Sequence, residues 1–187
     1  MQTLDAAEGA PQAPARRRDL RPLAFWGAAI VAIALDQLTK WIVRSSLDRG
    51  ESWPDGWDIR IKHVTNSGAA FGILQGQTLF LIVMACIGLA AIYLYYRNPP
   101  FHHWTASLGI GLMLGGALGN LIDRILRERV TDFIDFPRWP AFNLADSSIF
   151  IGVSIIVIGY SLFGDHATHR KPPPPDDPPY EDAPADG

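Results

Sequence analysis

Two acids set the chemistry this chain could perform. Asp132, in Val130-Thr131-Asp132-Phe133, and Asp146, in Phe142-Asn143-Leu144-Ala145-Asp146, stand at the borders of long apolar runs. An ionisable side chain at membrane depth is costly to keep there, so it marks a candidate functional site. Two carboxylates that meet in such a place resist ionising together and tend to share one proton. That pairing suits general acid–base catalysis, in which an ionised carboxylate activates water while its protonated neighbour donates a hydrogen bond. Val130, Phe133, Ile134 and Phe136 surround Asp132 with apolar groups, which disfavours its charge and raises its pKa. A segment carrying Pro137 and Pro140, read as a loop, separates the two acids. Both of its ends start from one membrane interface, so the carboxylates can meet.

Three further polar sets accompany the acids. Asp36, Thr39 and Lys40 fall at i, i+3 and i+4, on one helix face, where Asp36 and Lys40 can pair. That set reads either as a self-neutralised ion pair or as a brace for the site. Asn120, Asp123 and Arg124 repeat the spacing. Arg124 could present its planar fork to substrate carbonyls, or snorkel to the interface paired with Asp123. Asn143 and Asp146 precede an apolar run with the spacing of a helix-capping box. Capping and catalysis are compatible, since an acid fixed at a helix start is well oriented.

These groups need membrane-spanning helices to hold them. Apolar runs cover residues 23–43, 77–96, 104–125 and 144–163. About 20 residues at 1.5 Å each cross a hydrocarbon core of roughly 30 Å. The expected fold is therefore an all-α membrane protein of four transmembrane helices. A small extracytoplasmic β element is expected between the first two, because residues 58–64 alternate polar and apolar side chains. Trp53 and Trp57, beside a Pro-Asp-Gly turn, could dip into the interface. The core domain is placed at 21–164, with an outer loop at about 45–76. Residues 1–20 and 165–187, rich in Pro and in charge, are expected to be disordered cytoplasmic tails. The first span is too long for an ordinary cleaved signal sequence and is expected to be retained.

Glycines at 111, 115 and 119 recur every four residues in the third run, a spacing that lets helix backbones approach closely in lipid. Arg16, Arg17, Arg18 and Arg21 before the first span favour a cytoplasmic N-terminus, and four spans then return the C-terminus to the same side. Arg49, Arg60, Lys62, Arg127, Arg129 and Arg138 in the outer segments run against that rule. The formal charge of −3 gives no reason to expect nucleic acid. Cys86 is the only cysteine, which excludes an internal disulfide, and it reads as a packing residue. Neither a G-x-S-x-G elbow, an H-E-x-x-H helix nor a P-loop is present. No metal or cofactor is expected.

Five blocks, in order, resemble the lipoprotein signal peptidase family, or signal peptidase II, bacterial aspartic endopeptidases. They are Asp36-Gln37-Leu38-Thr39-Lys40; Asn66-Ser67-Gly68-Ala69-Ala70-Phe71-Gly72; Gly115-Gly116-Ala117-Leu118-Gly119-Asn120-Leu121-Ile122-Asp123-Arg124; and the two blocks around Asp132 and Asp146. The resemblance implies that Asp132 and Asp146 are the catalytic pair. It assigns Asp36, Lys40, Asn66, Gly68, Asn120, Asp123, Arg124 and Asn143 to shaping the site or holding substrate. It implies a multi-pass protein of the bacterial inner membrane, with its active site near the extracytoplasmic face. The implied substrate is a diacylglyceryl-modified prolipoprotein, cleaved before its lipidated cysteine. Residues 66–72 are expected to cover the substrate groove. The partners are that substrate and the bilayer, with the protein expected to act as a monomer. On the residues alone, a small proton- or cation-coupled transporter using buried carboxylates remains open. So does a scaffold whose polar groups only fix helix register.

Overall fold

The computed structural model describes residues 19–54, 56–68, 73–99 and 103–163. The expected tails, apart from Asp19 and Leu20, and the segment 69–72 expected to close over the groove lie outside the described residues. Eight elements follow one another: α1 (Arg21–Ser46), β1 (Ser52–Trp53), β2 (Arg60–Asn66), α2 (Thr78–Arg97), α3 (Trp104–Arg127), β3 (Val130–Phe136), β4 (Trp139–Phe142) and α4 (Leu144–Phe163). All four helices are long and apolar enough to cross a membrane. Their exposed faces carry side chains such as Leu79, Phe80, Phe150 and Leu162. Lipid is the solvent that such a surface fits.

α3 is the central helix, packed along α1 and α4 and more lightly against α2. Its glycines make this possible. A Cβ at Gly115 would lie 2.6 Å from the Ala29 carbonyl oxygen of α1, and one at Gly116 would collide with the Ala145 carbonyl of α4. Nearer the polar end, a Cβ at Gly119 would fall 2.5 Å from Asp36 Oδ2. The glycines spaced at 111, 115 and 119 thus admit α1 and its Asp36 carboxylate, while Gly109 and Gly116 admit α4 on a second face of α3. At the other end Phe25, Ala29, Ile110 and Leu114 form an apolar core. The Phe25 and Tyr96 rings stack there with centroids 3.8 Å apart, tying α2 to α1.

The β element is present and larger than the sequence reading drew it. Its four antiparallel strands run in the order β1-β2-β3-β4, and half of them come from the segment between α3 and α4. The stretch between Asp132 and Asp146, read as a loop, is instead the β3–β4 hairpin. Its β-branched and aromatic content, Val130, Thr131, Phe133, Ile134 and Phe136, favours a strand, and this outweighs the breaking signal of the prolines. Pro137 sits in the turn, with Arg138 at φ 64° beside it, so its missing N–H is not needed by the ladder. The register sets Val64 opposite Asp132 and Asn66 opposite Val130, which carries the Asn66 side chain to Asp132.

Candidate active site

Asp132 enters the site from β3 and Asp146 from the first turn of α4. Asparagines join them. Asn143 Nδ2 donates to Asp132 Oδ1 at 2.7 Å, while its backbone N–H donates to Asp146 Oδ2 at 3.2 Å. Asn143 Oδ1 in turn accepts the Asp146 N–H at 3.0 Å. The capping box expected from the sequence is therefore formed, and the same asparagine reaches the other acid. Asn66 Nδ2 donates to Asp132 Oδ2 at 3.1 Å, and Asn120 Nδ2 to Asp146 Oδ1 at 2.8 Å. Each of the four carboxylate oxygens thus has one donor, and a second lone pair is left on each. Both acids line one cavity of about 440 Å³, together with Asn66, Asn120 and Arg124.

Asp132 is only 3% exposed. Burial, and then the charge of Asp146, pushes its pKa up to about 6, against the lowering effect of Asn66 and Asn143 hydrogen bonds. The sign of the stability linkage follows. At low pH Asp132 is neutral in both folded and unfolded chains and contributes nothing. As pH rises from about 4 to about 6 the unfolded chain ionises first, so folding loses stability in that window and no more above it. We expect the melting temperature of the detergent-purified protein to fall across this range, and Asp132→Asn to remove part of the slope. Parallel curves for the two proteins would contradict the buried, proton-holding state of Asp132.

Behind the acids lies a second polar layer. Lys40 is fully buried. Its ammonium meets Asp36 Oδ2 at 2.9 Å, Asn120 Oδ1 at 2.9 Å and Asp123 Oδ2 at 3.3 Å. Three donors thereby find three acceptors. Asp36 Oδ1 accepts the Ala145 N–H at 2.9 Å, which fixes the start of α4 from α1. Asp123 Oδ2 also accepts the Thr131 N–H at 3.2 Å, which fixes the start of β3 from α3. The Asp36–Lys40 pair, left open between plain neutralisation and a brace, holds α4 directly through Asp36, and Lys40 also contacts Asp123, which holds β3. No buried side-chain nitrogen or oxygen among the described residues lacks a hydrogen-bond partner. Such completeness is what a polar network in a low-dielectric interior requires.

Arg124 makes no ion pair with Asp123 among the described residues. It donates to the Gly68 carbonyl at 3.3 Å and the Asn120 carbonyl at 3.4 Å, on the wall of the cavity. Gly68 also donates its N–H to Asn66 Oδ1 at 2.9 Å, so the turn after β2 is tied to the site. The arginine partners of Asp123 are instead Arg127 at 3.1 Å and Arg44 at 3.5 Å, both on its Oδ1. The sequence reading missed both, as it missed Gln37, which donates to Asp36. A signal existed: Arg44 lies four residues after Lys40, and Arg127 four after Asp123. Among the described residues, no three His, Cys, Asp or Glu side chains converge as metal ligands.

The profile of the family described as signal peptidase (SPase) II matches residues 28–162. The chain is 44% identical to the lipoprotein signal peptidase of Shouchella clausii (strain KSM-K16) over 139 residues, covering 73% of this chain and 91% of that protein. It is 42% identical to the lipoprotein signal peptidase of Bacillus pumilus (strain SAFR-032) over 146 residues, covering 75% and 94%. Among solved structures, a bacterial membrane enzyme determined in meso at 2.3 Å resolution superposes with a TM-score of 0.68 at 34% identity, covering 77% of this chain and 89% of that one. A second, at 1.9 Å resolution, gives 0.64 at 36% identity, covering 71% and 88%.

Proposed function

The chain belongs to the signal peptidase II family, and from that premise we propose that it is an intramembrane aspartic endopeptidase. It removes signal peptides from diacylglyceryl-modified prolipoproteins, cutting before the lipidated cysteine. The observation that carries this reading is that Asp132 and Asp146, bridged from behind by the buried Asn143, both line one cavity.

The dyad shares one proton, placed on Asp132, and Asp146 acts as the base. Asp146 takes a proton from water as the oxygen bonds to the scissile carbonyl carbon. Asp132 donates a hydrogen bond to the carbonyl oxygen as its charge grows. Collapse breaks the C–N bond, and the departing nitrogen takes the proton from Asp146. The dyad returns to its starting charge and no covalent intermediate forms. Asn66, Asn120 and Arg124, which line the cavity, offer hydrogen bonds to the unwound substrate backbone, which in lipid must be satisfied by protein or water, while the buried Asn143 holds the two acids in place.

A second cavity of about 680 Å³ adjoins the first and shares Trp139, Phe142, Asp146 and Phe150 with it. Phe136 and Ile151 complete an apolar wall suited to acyl chains. The site faces the extracytoplasmic side, with both termini cytoplasmic. A transporter would use the same buried acids, but the bridged pair and the adjoining apolar cavity favour a lipid-linked peptide substrate. The test is cleavage by the purified protein of a prolipoprotein with and without its diacylglyceryl group. Cleavage of the lipidated form alone, at the bond before the cysteine, is expected. Equal cleavage of both forms would sink the substrate assignment, and peptide-independent ion flux in liposomes would favour the transporter.

A further inference from the structure

The sheet has two faces, and the second is basic. Period-two alternation sends Val130 and Asp132 of β3 to the dyad cavity, and Arg129 and Thr131, bracketing them, to the opposite side. There a separate cavity of about 570 Å³ is lined by Arg44, Arg49, Arg127, Arg129, Asp48 and Thr131, among others. Asp48 is the acid on its wall, and Asp123 lies buried beneath it. Four arginines therefore face two carboxylates.

A basic residue in the last turn of a helix answers the carbonyl end of its dipole. That accounts for Arg44 in α1 and Arg127 in α3. It does not account for Arg49 and Arg129, which lie beyond the helices. Neither makes a side-chain ion pair among the described residues. Both are among the outer arginines that run against the charge asymmetry expected of a membrane protein. Cations without an ion-pair partner among the described residues that break that rule and converge on one hollow suit an anion.

We propose that this cavity binds the phosphate of an anionic phospholipid in the leaflet at the sheet end of the bundle. The planar fork of arginine matches phosphate oxygens two at a time. The cavity opens where α1 and α3 leave their apolar runs, which is headgroup depth, so a lipid phosphate can reach its arginines. The excess of positive charge selects an anionic headgroup over a zwitterionic one. Arg44 Nη1 also donates to Thr131 Oγ1 at 3.1 Å, so a phosphate held by Arg44 and Arg127 fastens the ends of α1 and α3 to β3. The proposal rests on the membrane embedding of the helices and is independent of the cleavage chemistry.

The test uses the full chain in neutral detergent, titrated with dioctanoyl phosphatidylglycerol, dioctanoyl phosphatidylcholine and inorganic phosphate, with melting temperature as the readout. Phosphatidylglycerol is expected to raise it saturably, with phosphatidylcholine weaker by about tenfold or more in apparent affinity and inorganic phosphate without effect. Arg49→Gln with Arg129→Gln should weaken phosphatidylglycerol binding by about tenfold or more. Lys62→Gln with Arg138→Gln, which removes the same charge outside the cavity, should leave it nearly unchanged. Undiminished binding by the first pair, or equal loss in the second, would overturn the proposal. Equal stabilisation by inorganic phosphate would assign the cavity to a soluble anion and overturn the lipid.

Discussion

Asp132→Asn and Asp146→Asn, made singly, are each expected to lower prolipoprotein cleavage by at least about 10³-fold while the folded protein is retained. The two losses have different causes. An amide in place of the Asp146 carboxylate cannot take a proton from water, although its oxygen can still accept from Asn120. An amide in place of the Asp132 carboxyl keeps an acceptor for Asn143 but loses the acid proton that meets the developing oxyanion. On the proposed mechanism one proton serves both groups, so the losses should not add. The double variant should be no slower than the worse single one by more than a few-fold. The measurement is initial rate on lipidated substrate, with melting temperature as the folding control. Turnover near the unmodified rate by either single variant would remove the dyad from the mechanism.

Lys40→Met is expected to cost about 3–5 kcal/mol of stability and to abolish cleavage with it. The ammonium is fully buried against Asp36 and Asp123, and an apolar replacement leaves Asp36 charged with no cation in contact. Asp123 suffers less, because Arg44 and Arg127 remain. The loss should therefore be partly reversible. Adding Asp36→Asn to Lys40→Met removes the stranded charge yet keeps an oxygen for the Ala145 N–H, and a sizeable share of stability should return. Chemical denaturation in detergent measures both steps. No recovery in the double variant would show that Asp36 is not the group that Lys40 neutralises.

The spans, the capping box and the Asp36–Lys40 pair were legible in the sequence because each is a local pattern. Helical spacing of i, i+3 and i+4 puts side chains on one face whatever the tertiary context. What lay hidden depended on partners far apart in the chain. Nothing in the order of residues says that Asn66 of β2 meets Asp132, because that contact needs the register of β2 against β3. The β3–β4 hairpin was masked by its two prolines, one of which merely occupies the turn. The grip of Arg127 on Asp123 was legible by spacing and was passed over in favour of the adjacent Arg124. The segment expected to cover the groove lies largely outside the described residues.

The bond from Asp36 to the Ala145 N–H has a consequence for biogenesis. Synthesis proceeds from the N-terminus, so the first span is in the bilayer well before residues 143–146 leave the ribosome. The anchor for the last helix therefore waits for the helix it receives. On the proposed dyad, a half-made chain has Asp132 but no opposing acid, so cleavage would have to await insertion of its final segment.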